Sequence, residues 1–233
     1  AAQRGLVAMI ERAENHTDSG IIGATFVFDV LNAAGRGDVT LAMLLNDSYP
    51  SFGHMIDQGG TTLWENWKGS LPNGAAGSNN HIMFGGGVGT QPYVAFGGIS
   101  NGRGLSDGRN SSSTAWELIE IRPLPAAIEA LPFSSASTHT PRGIVAVRWS
   151  RSGNAFALNA TVPVGSTADV ALPARLGGQQ LSAVAEDAVP VWASGAYKPG
   201  AAGFKGSRKE SAPYGVVVFS VGSGGYSFTA TYG

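Results

Sequence analysis

The sequence has no cysteine among its 233 residues. Disulfide bonds, thiolate zinc sites and a cysteine nucleophile are therefore excluded. Charged residues make up only 13% of the chain and the formal net charge is -1, so nothing predicts a nucleic-acid partner. The longest apolar runs, such as residues 216–219, fall far short of the ~20 residues that a membrane-spanning helix needs. These absences favour a neutral partner and no membrane span.

Residues that hold metals or nucleotides are few and scattered. The four histidines stand at positions 16, 54, 81 and 139, whereas a zinc site needs clustered ligands. The run GGGVG at 85–89 lacks the Lys-Ser/Thr pair of a phosphate-binding loop. We therefore predict neither a metal nor a cofactor.

The first residues are Ala-Ala-Gln, without an initiator methionine, so we expect a processed product, a fragment or a subunit. Four Asn-x-Ser/Thr motifs are candidate glycosylation sites, which permits an extracellular or secretory-pathway protein. They stand at Asn15, Asn46, Asn110 and Asn159.

The first half of the chain has helical periodicity. The spacing of apolar residues predicts helices over 4–13, 20–32 and 39–45, the last with Asp38 as N-cap. In the second of these helices the predicted buried stripe consists of Gly23, Phe26, Val27, Val30 and Leu31. We expect helical hairpins to continue to about residue 120, in a first domain of residues 1–122.

The second half changes to the period of strands. Short β-rich runs occupy 143–149, 156–162 and 168–173, and a hairpin is predicted from 215–221 to 226–232 across a Gly-Ser-Gly turn. The stretch 183–211 is predicted to be a long loop region. Short strands at regular spacing predict an antiparallel β-sandwich over 123–233.

The stretch DQGGTTLWENWK, residues 57–68, places one carboxylate between two tryptophans. Thr62 and Glu65 fit a capping box, in which each side chain would satisfy a backbone N–H at a helix start. Alternatively, Trp64 and Trp67 would pack against the apolar face of a sugar ring while Glu65 acts as an acid or base. The residues alone leave both interpretations open.

Several segments together resemble the C-terminal portion of α-L-rhamnosidases of glycoside hydrolase family 78. They are HTDSGIIGATFVFDVL, YPSFGHMIDQGGTTLWENW, NNHIMFGGGVG, TPRGIVAVRW, VPVGSTADVALP and VGSGGYSFTA. The resemblance implies a multidomain α and β protein, with a partial (α/α)6 helical toroid followed by an antiparallel β-sandwich. It covers nearly the whole chain.

The resemblance also implies an inverting hydrolase that releases terminal α-L-rhamnose. Glu65 matches the general base and His81 matches a sugar-contacting histidine of the family. Trp64, Trp67 and Asp57 are further candidate substrate-binding residues. The matching general acid is missing here, so the expected partners are a rhamnose-containing glycan and an N-terminal remainder or companion chain.

One departure from the family pattern leaves an alternative open. After NNHIMFG the chain reads GGGVGTQPYVAFGG, and Pro92 with the extra glycines would weaken or kink the helix expected there. A non-catalytic structural or glycan-binding protein could retain the same fold. An intact acid motif upstream would favour the enzyme.

Overall fold

The computed structural model describes residues 2–69, 77–102, 113–211 and 214–233. The chain divides into two compact units, Ala1–Gln91 and Pro92–Gly233. The described part of the first unit is helical, and the second consists mainly of strands. The predicted change from helices to strands along the chain is confirmed. Within the described residues, no helix combines the length and apolarity needed to cross a membrane.

The described residues of the first unit contain five α-helices. They are α1 Ala2–Arg12, α2 Ile21–Ala33, α3 Gly37–Leu45, α4 Phe52–Asp57 and α5 Ile82–Gly89. The three predicted helices are confirmed to within two residues at each end. Asp38 is not the N-cap of α3, however. Arg36 holds that position, and Asp38 lies in the first turn, where its carboxylate pairs with Arg36 at 2.7 Å and complements the helix dipole.

The helix α2 is confirmed, but its predicted buried stripe is correct only in part, because Leu31 is buried whereas Gly23 and Phe26 are exposed. Ala24, Phe28 and Leu31 are fully buried, whereas Phe26 is 60% exposed. The helix carries apolar residues on every face. Periodicity therefore could not identify which face is buried. The glycines of α5 add to this packing, because a Cβ on Gly87 would lie 2.6 Å from the Ala24 carbonyl oxygen. Gly87 therefore lets the backbones of α2 and α5 approach closely.

The second unit begins with a π-helical turn, Pro92–Phe96, after α5 has ended at Gly89. Its strands and one further helix follow. They are β1 Ile99–Asn101, β2 Leu118–Ile121, α6 Pro125–Ala130, β3 Phe133–Thr140, β4 Gly143–Ser152, β5 Ala155–Val162, β6 Thr167–Pro173, β7 Arg175–Leu176, β8 Gln179–Glu186, β9 Val189–Ala193, β10 Ala196–Tyr197, β11 Phe204–Glu210, β12 Val216–Val221 and β13 Gly224–Tyr232.

These strands form two sheets that share one apolar core. The five-stranded sheet has the order β1-β2-β6-β12-β11, and the larger sheet has the order β10-β9-β8-β13-β5-β4-β3, with β7 beside β8. Phe219 of the first sheet and Phe228 of the second have ring centroids 5.6 Å apart. The core also holds Trp149, whose indole N–H donates to the Phe96 carbonyl at 2.6 Å.

Two predictions about the strands are wrong. The stretch 183–211 is not a loop region, since half of β8 and all of β9, β10 and β11 lie in it. The predicted hairpin across Gly222 does not form either, because β12 pairs with β6 and β11 while β13 pairs with β5 and β8. The glycines there carry the chain from one sheet to the other. A Gly-rich turn permits either path.

The helical part is also shorter than predicted. Strands β1 and β2 pair with each other, and β2 pairs with β6 in parallel, so the described residues 99–102 and 113–121 belong with the strands and do not form helical hairpins. The predicted domains, 1–122 and 123–233, therefore differ from the observed units. Runs of three and four residues are too short to show a strand period. The parallel β2-β6 pair also departs from a wholly antiparallel arrangement.

Ion pairs, one of them fully buried, link strands of the five-stranded sheet. Arg122 donates from Nε to Glu120 at 2.7 Å and from Nη2 to Glu210 at 2.5 Å, and the Arg122 and Glu120 side chains are fully buried. Arg208 pairs with Glu210 at 2.8 Å and with Asp169 at 2.9 Å. Because these residues belong to or adjoin β2, β6 and β11, the network links three strands through their side chains.

We expect Arg122→Met to lower the free energy of unfolding by about 3–5 kcal/mol, because Glu120 would remain buried without this cation. The measurement is urea denaturation followed by tryptophan fluorescence. Arg148→Met is the matched control, since Arg148 is exposed on β4 and such surface changes stay within ~0.5 kcal/mol. Equal losses in the two variants would contradict a structural role for the network.

The same network predicts a dependence of stability on pH. Burial alone would raise the pKa of Glu210, but hydrogen bonds and charge from Arg122 and Arg208 outweigh it and hold the pKa below its ordinary value of 4.5. A carboxyl group with a depressed folded-state pKa stabilises the protein above its unfolded-state pKa. This contribution is lost as the pH falls through the folded-state value.

We therefore expect the free energy of unfolding to decline as the pH is lowered below about 4.5. The decline should be shallower in Arg122→Met, because that variant lacks one of the two cations that depress the Glu210 pKa. Denaturation curves at a series of pH values check this. Parallel slopes for the two proteins would contradict it.

Candidate functional site

The segment that carries the candidate base follows α4 and is not helical. Residues 58–69 form turns and bends, so the predicted capping box at Thr62 and Glu65 is wrong. The Thr62 hydroxyl donates to the Asn79 carbonyl instead of accepting a helical N–H. Gly59, with φ +83°, turns the chain directly after α4, a conformation that favours glycine.

Backbone hydrogen bonds pair this segment with residues 78–81. The Glu65 N–H donates to the Ser78 carbonyl at 2.8 Å, and the His81 N–H donates to the Leu63 carbonyl at 2.7 Å. Glu65 and His81 stand sixteen positions apart in the sequence, yet they lie on paired segments. The structure thus brings together the two residues that the sequence singled out most strongly.

The Glu65 side chain is exposed, and one of its oxygens is held. Its Oε2 accepts the Ser78 backbone N–H at 2.7 Å. Within the described residues, no donor contacts Oε1. A carboxylate fixed through one oxygen and open at the other can accept a proton from a bound water molecule.

His81 is the N-cap residue of α5 and is partly buried. Its Nδ1 is buried and has no hydrogen-bond partner within the described part of the chain. A buried imidazole nitrogen without a partner is costly, and it donates or accepts according to its tautomer. The ring as a whole is only partly buried, so its accessible part can contact a hydroxyl group of a ligand.

The two tryptophans have different environments. Trp67 is only 7% exposed and packs edge to face on Phe52 and Phe84, with ring centroids 5.1 and 4.8 Å away. This environment is that of a core residue, and its role as a sugar contact remains a prediction. Trp64 is partly exposed, and a Cβ on Gly69 would lie 2.8 Å from its ring. Trp64 therefore packs against the backbone at Gly69, and part of its surface is exposed to solvent.

The remaining candidates lie apart from this pairing. Asp57 is the last residue of α4 and is exposed, and no described contact links it to Glu65 or His81. Asn159 is exposed on β5, whereas the Asn46 amide donates to the Glu14 carbonyl at 3.1 Å. Asn15 is partly buried, and Asn110 lies outside the described residues. Glycosylation at these positions stays a prediction.

The sequence did not indicate Gly77 and Ser78. Ser78 holds Glu65 through its backbone, and any non-proline residue carries that donor. The only signal is a glycine before a small polar run, which is typical of many loops. Across the described residues, no group of three or more His, Asp or Glu side chains could hold a metal ion.

Comparison with known proteins identifies both units. Residues 1–90 match the bacterial alpha-L-rhamnosidase 6 hairpin glycosidase domain, and residues 104–182 match the bacterial alpha-L-rhamnosidase C-terminal domain. A curated alpha-L-rhamnosidase from Streptomyces avermitilis is 33% identical over 180 residues, which is 75% of this chain and 16% of that protein. One from Formosa agariphila is 31% identical over 177 residues, 74% of this chain and 18% of that protein. The chain thus spans less than a fifth of these relatives.

Solved structures give the same result. The alpha-L-rhamnosidase from Dictyoglumus thermophilum is 30% identical with a TM-score of 0.76, covering 95% of this chain and 22% of that one. The Streptomyces avermitilis alpha-L-rhamnosidase complexed with L-rhamnose is 29% identical with a TM-score of 0.72, covering 98% and 19%. By sequence and by structure, the chain belongs to the bacterial α-L-rhamnosidase family and corresponds to a C-terminal portion of its members.

Proposed function

We propose that this chain is the C-terminal part of an inverting α-L-rhamnosidase-like glycoside hydrolase that releases terminal α-L-rhamnose from glycosides or polysaccharides. The carrying observation is an exposed Glu65 carboxylate, fixed at Oε2 on a segment paired with His81. The family membership and the relative complexed with L-rhamnose support this substrate class. Action outside the cell or in the secretory pathway is part of the same proposal.

In the proposed reaction, Glu65 is the general base. It takes a proton from water while the water oxygen attacks the anomeric carbon on the face opposite the departing group. The glycosidic bond breaks, and a general acid protonates the departing oxygen. No acid in this chain is assigned that role, so we place it on a polypeptide outside this sequence.

The other side chains near Glu65 would bind the sugar. The accessible part of the His81 imidazole would hydrogen-bond a hydroxyl group, and the exposed part of Trp64 would pack against the apolar face of the ring. Trp67 would support Trp64 and Glu65 from the core. Asp57 is proposed as an outer contact only, because it lies apart from the pairing.

We further propose that the helices here are part of an (α/α)6 toroid, followed by a β-sandwich. In the complete toroid, each helix packs against neighbouring hairpins. When some hairpins are absent, the helix faces that they would cover are exposed to solvent. Large apolar side chains are indeed exposed on α1, α2, α3, α4 and α5. They include Met9, Ile22, Phe26, Leu45, Ile56, Ile82 and Met83. An N-terminal remainder or a companion chain would cover this apolar surface.

A second candidate is a non-catalytic structural or glycan-binding protein with the same fold. The observation that favours it is the end of α5 at Gly89, before the π-helical turn at Pro92–Phe96. This is the stretch where the sequence departs from the family pattern. In that case Glu65 would bind a glycan without turning it over.

We expect Glu65→Gln to lower kcat of the full-length protein on an aryl α-L-rhamnoside by about 10²–10⁴, because the water loses its proton acceptor. The melting temperature should stay near that of the wild type, since the amide oxygen of Gln can still accept the Ser78 N–H. Glu14→Gln is the matched control at another exposed carboxylate and should keep full turnover. Normal turnover in Glu65→Gln would overturn the assignment, and no turnover in the wild type would favour the second candidate.

The apolar surface gives a separate prediction. The 233-residue chain alone should bind a hydrophobic dye or aggregate, whereas the full-length protein should not, because its other helices cover the surface. Ile22→Ser tests the coverage, since Ile22 is 72% exposed in this chain. It should change the stability of the isolated chain by less than ~0.5 kcal/mol and destabilise the full-length protein by more than 1 kcal/mol. Equal effects in both proteins would contradict the proposed cover.

A further inference from the structure

Gly77 occupies the tightest position around the candidate base. Its φ is +78°, in the left-handed region that favours glycine. A Cβ at this position would lie 2.9 Å from Oε2 of Glu65, 3.1 Å from Cβ of Glu65 and 2.5 Å from Nδ2 of Asn66. The side chains of Glu65 and Asn66 together therefore fill the space that any residue other than glycine would need here.

The conformation of Gly77 also sets the direction of the next peptide. The Ser78 N–H points at Oε2 of Glu65, at 2.7 Å, while the Ser78 carbonyl accepts the Glu65 N–H at 2.8 Å. One residue thus receives a backbone bond from Glu65 and returns one to its side chain. This reciprocal contact leaves the Glu65 carboxylate little freedom to rotate.

We propose that Gly77 is a positioning residue that decides which oxygen of Glu65 acts as the base. With Oε2 occupied by the Ser78 N–H, the proton of the attacking water goes to Oε1. The water O–H bond breaks, its oxygen bonds to the anomeric carbon, and the glycosidic electron pair leaves with the departing oxygen, which the general acid protonates. This inference rests on the proposed function. It adds that Oε1 is the oxygen of Glu65 that accepts the proton and that Gly77 determines this choice.

A Cβ at position 77 would push the Glu65 carboxylate aside, and even a displacement of about 1 Å in a catalytic group can cost about 10²-fold in rate. We therefore expect Gly77→Ala to lower kcat by 10-fold to 10³-fold and to leave KM within about threefold, because the sugar contacts are untouched. A merely structural role would lower the amount of folded enzyme without this separation of kcat from KM.

Two further variants separate the contact from backbone strain. Gly59 has φ +83° in the same segment, but a Cβ there would meet nothing within 4 Å. Gly59→Ala therefore reproduces the strain without the contact and should keep kcat within about threefold. Gly77→Asn adopts the left-handed region more readily than Ala but still carries a Cβ, so it should be as slow as Gly77→Ala.

The experiment measures kcat, KM and melting temperature of the full-length protein for these three variants beside Glu65→Gln. A slow Gly77→Ala and Gly77→Asn with a normal Gly59→Ala supports the inference. Full turnover in Gly77→Ala or recovery in Gly77→Asn, while Glu65→Gln is inactive, overturns the inference alone. If Glu65→Gln keeps full turnover, or the wild type has none, the proposed function fails and the inference fails with it.

Discussion

The candidate site depends on one short pairing between residues 62–65 and residues 78–81. No helix or sheet ladder holds Glu65 in the described structure, so these hydrogen bonds fix the direction of its backbone and carboxylate. Each is worth about 1 kcal/mol to stability. Their larger effect is geometric, because they also place His81 beside the same segment. Trp67, in the same segment as Glu65, anchors this segment to the core by packing on Phe52 of α4 and Phe84 of α5.

The sequence predicts those parts of this arrangement that rest on side-chain type. The helices around Leu6 and Phe28 and the strands around Trp149 follow from apolar periodicity, and Glu65 and His81 follow from a resemblance to known family segments. The capping box failed because Thr and Glu at that spacing also fit a turn in which both groups bond elsewhere. The contact between Ser78 and Glu65 could not be predicted from the sequence, because every residue except proline carries a backbone N–H.

Two other differences depend on how the elements pack against each other. The buried face of α2 could not be identified because nearly every residue of that helix is apolar, and Gly87 of α5 marks the side on which the two helices approach. The final two strands looked like a hairpin because β-rich runs flank Gly222 and Gly224. Their separation into different sheets depends on which neighbours each strand finds, and those neighbours are distant in the chain.

The position of β13 in its sheet constrains the order in which the second unit can form. This strand lies between β5 and β8, although it is the last strand of the sequence. During synthesis, β3, β4 and β5 can assemble as a meander, but they join β8 and β9 only when residues 224–232 have left the ribosome. Until then two sheet edges remain open, and open edges are sites of mispairing between nascent chains. Docking of β13 closes both of these edges, because the strand pairs with β5 on one side and with β8 on the other.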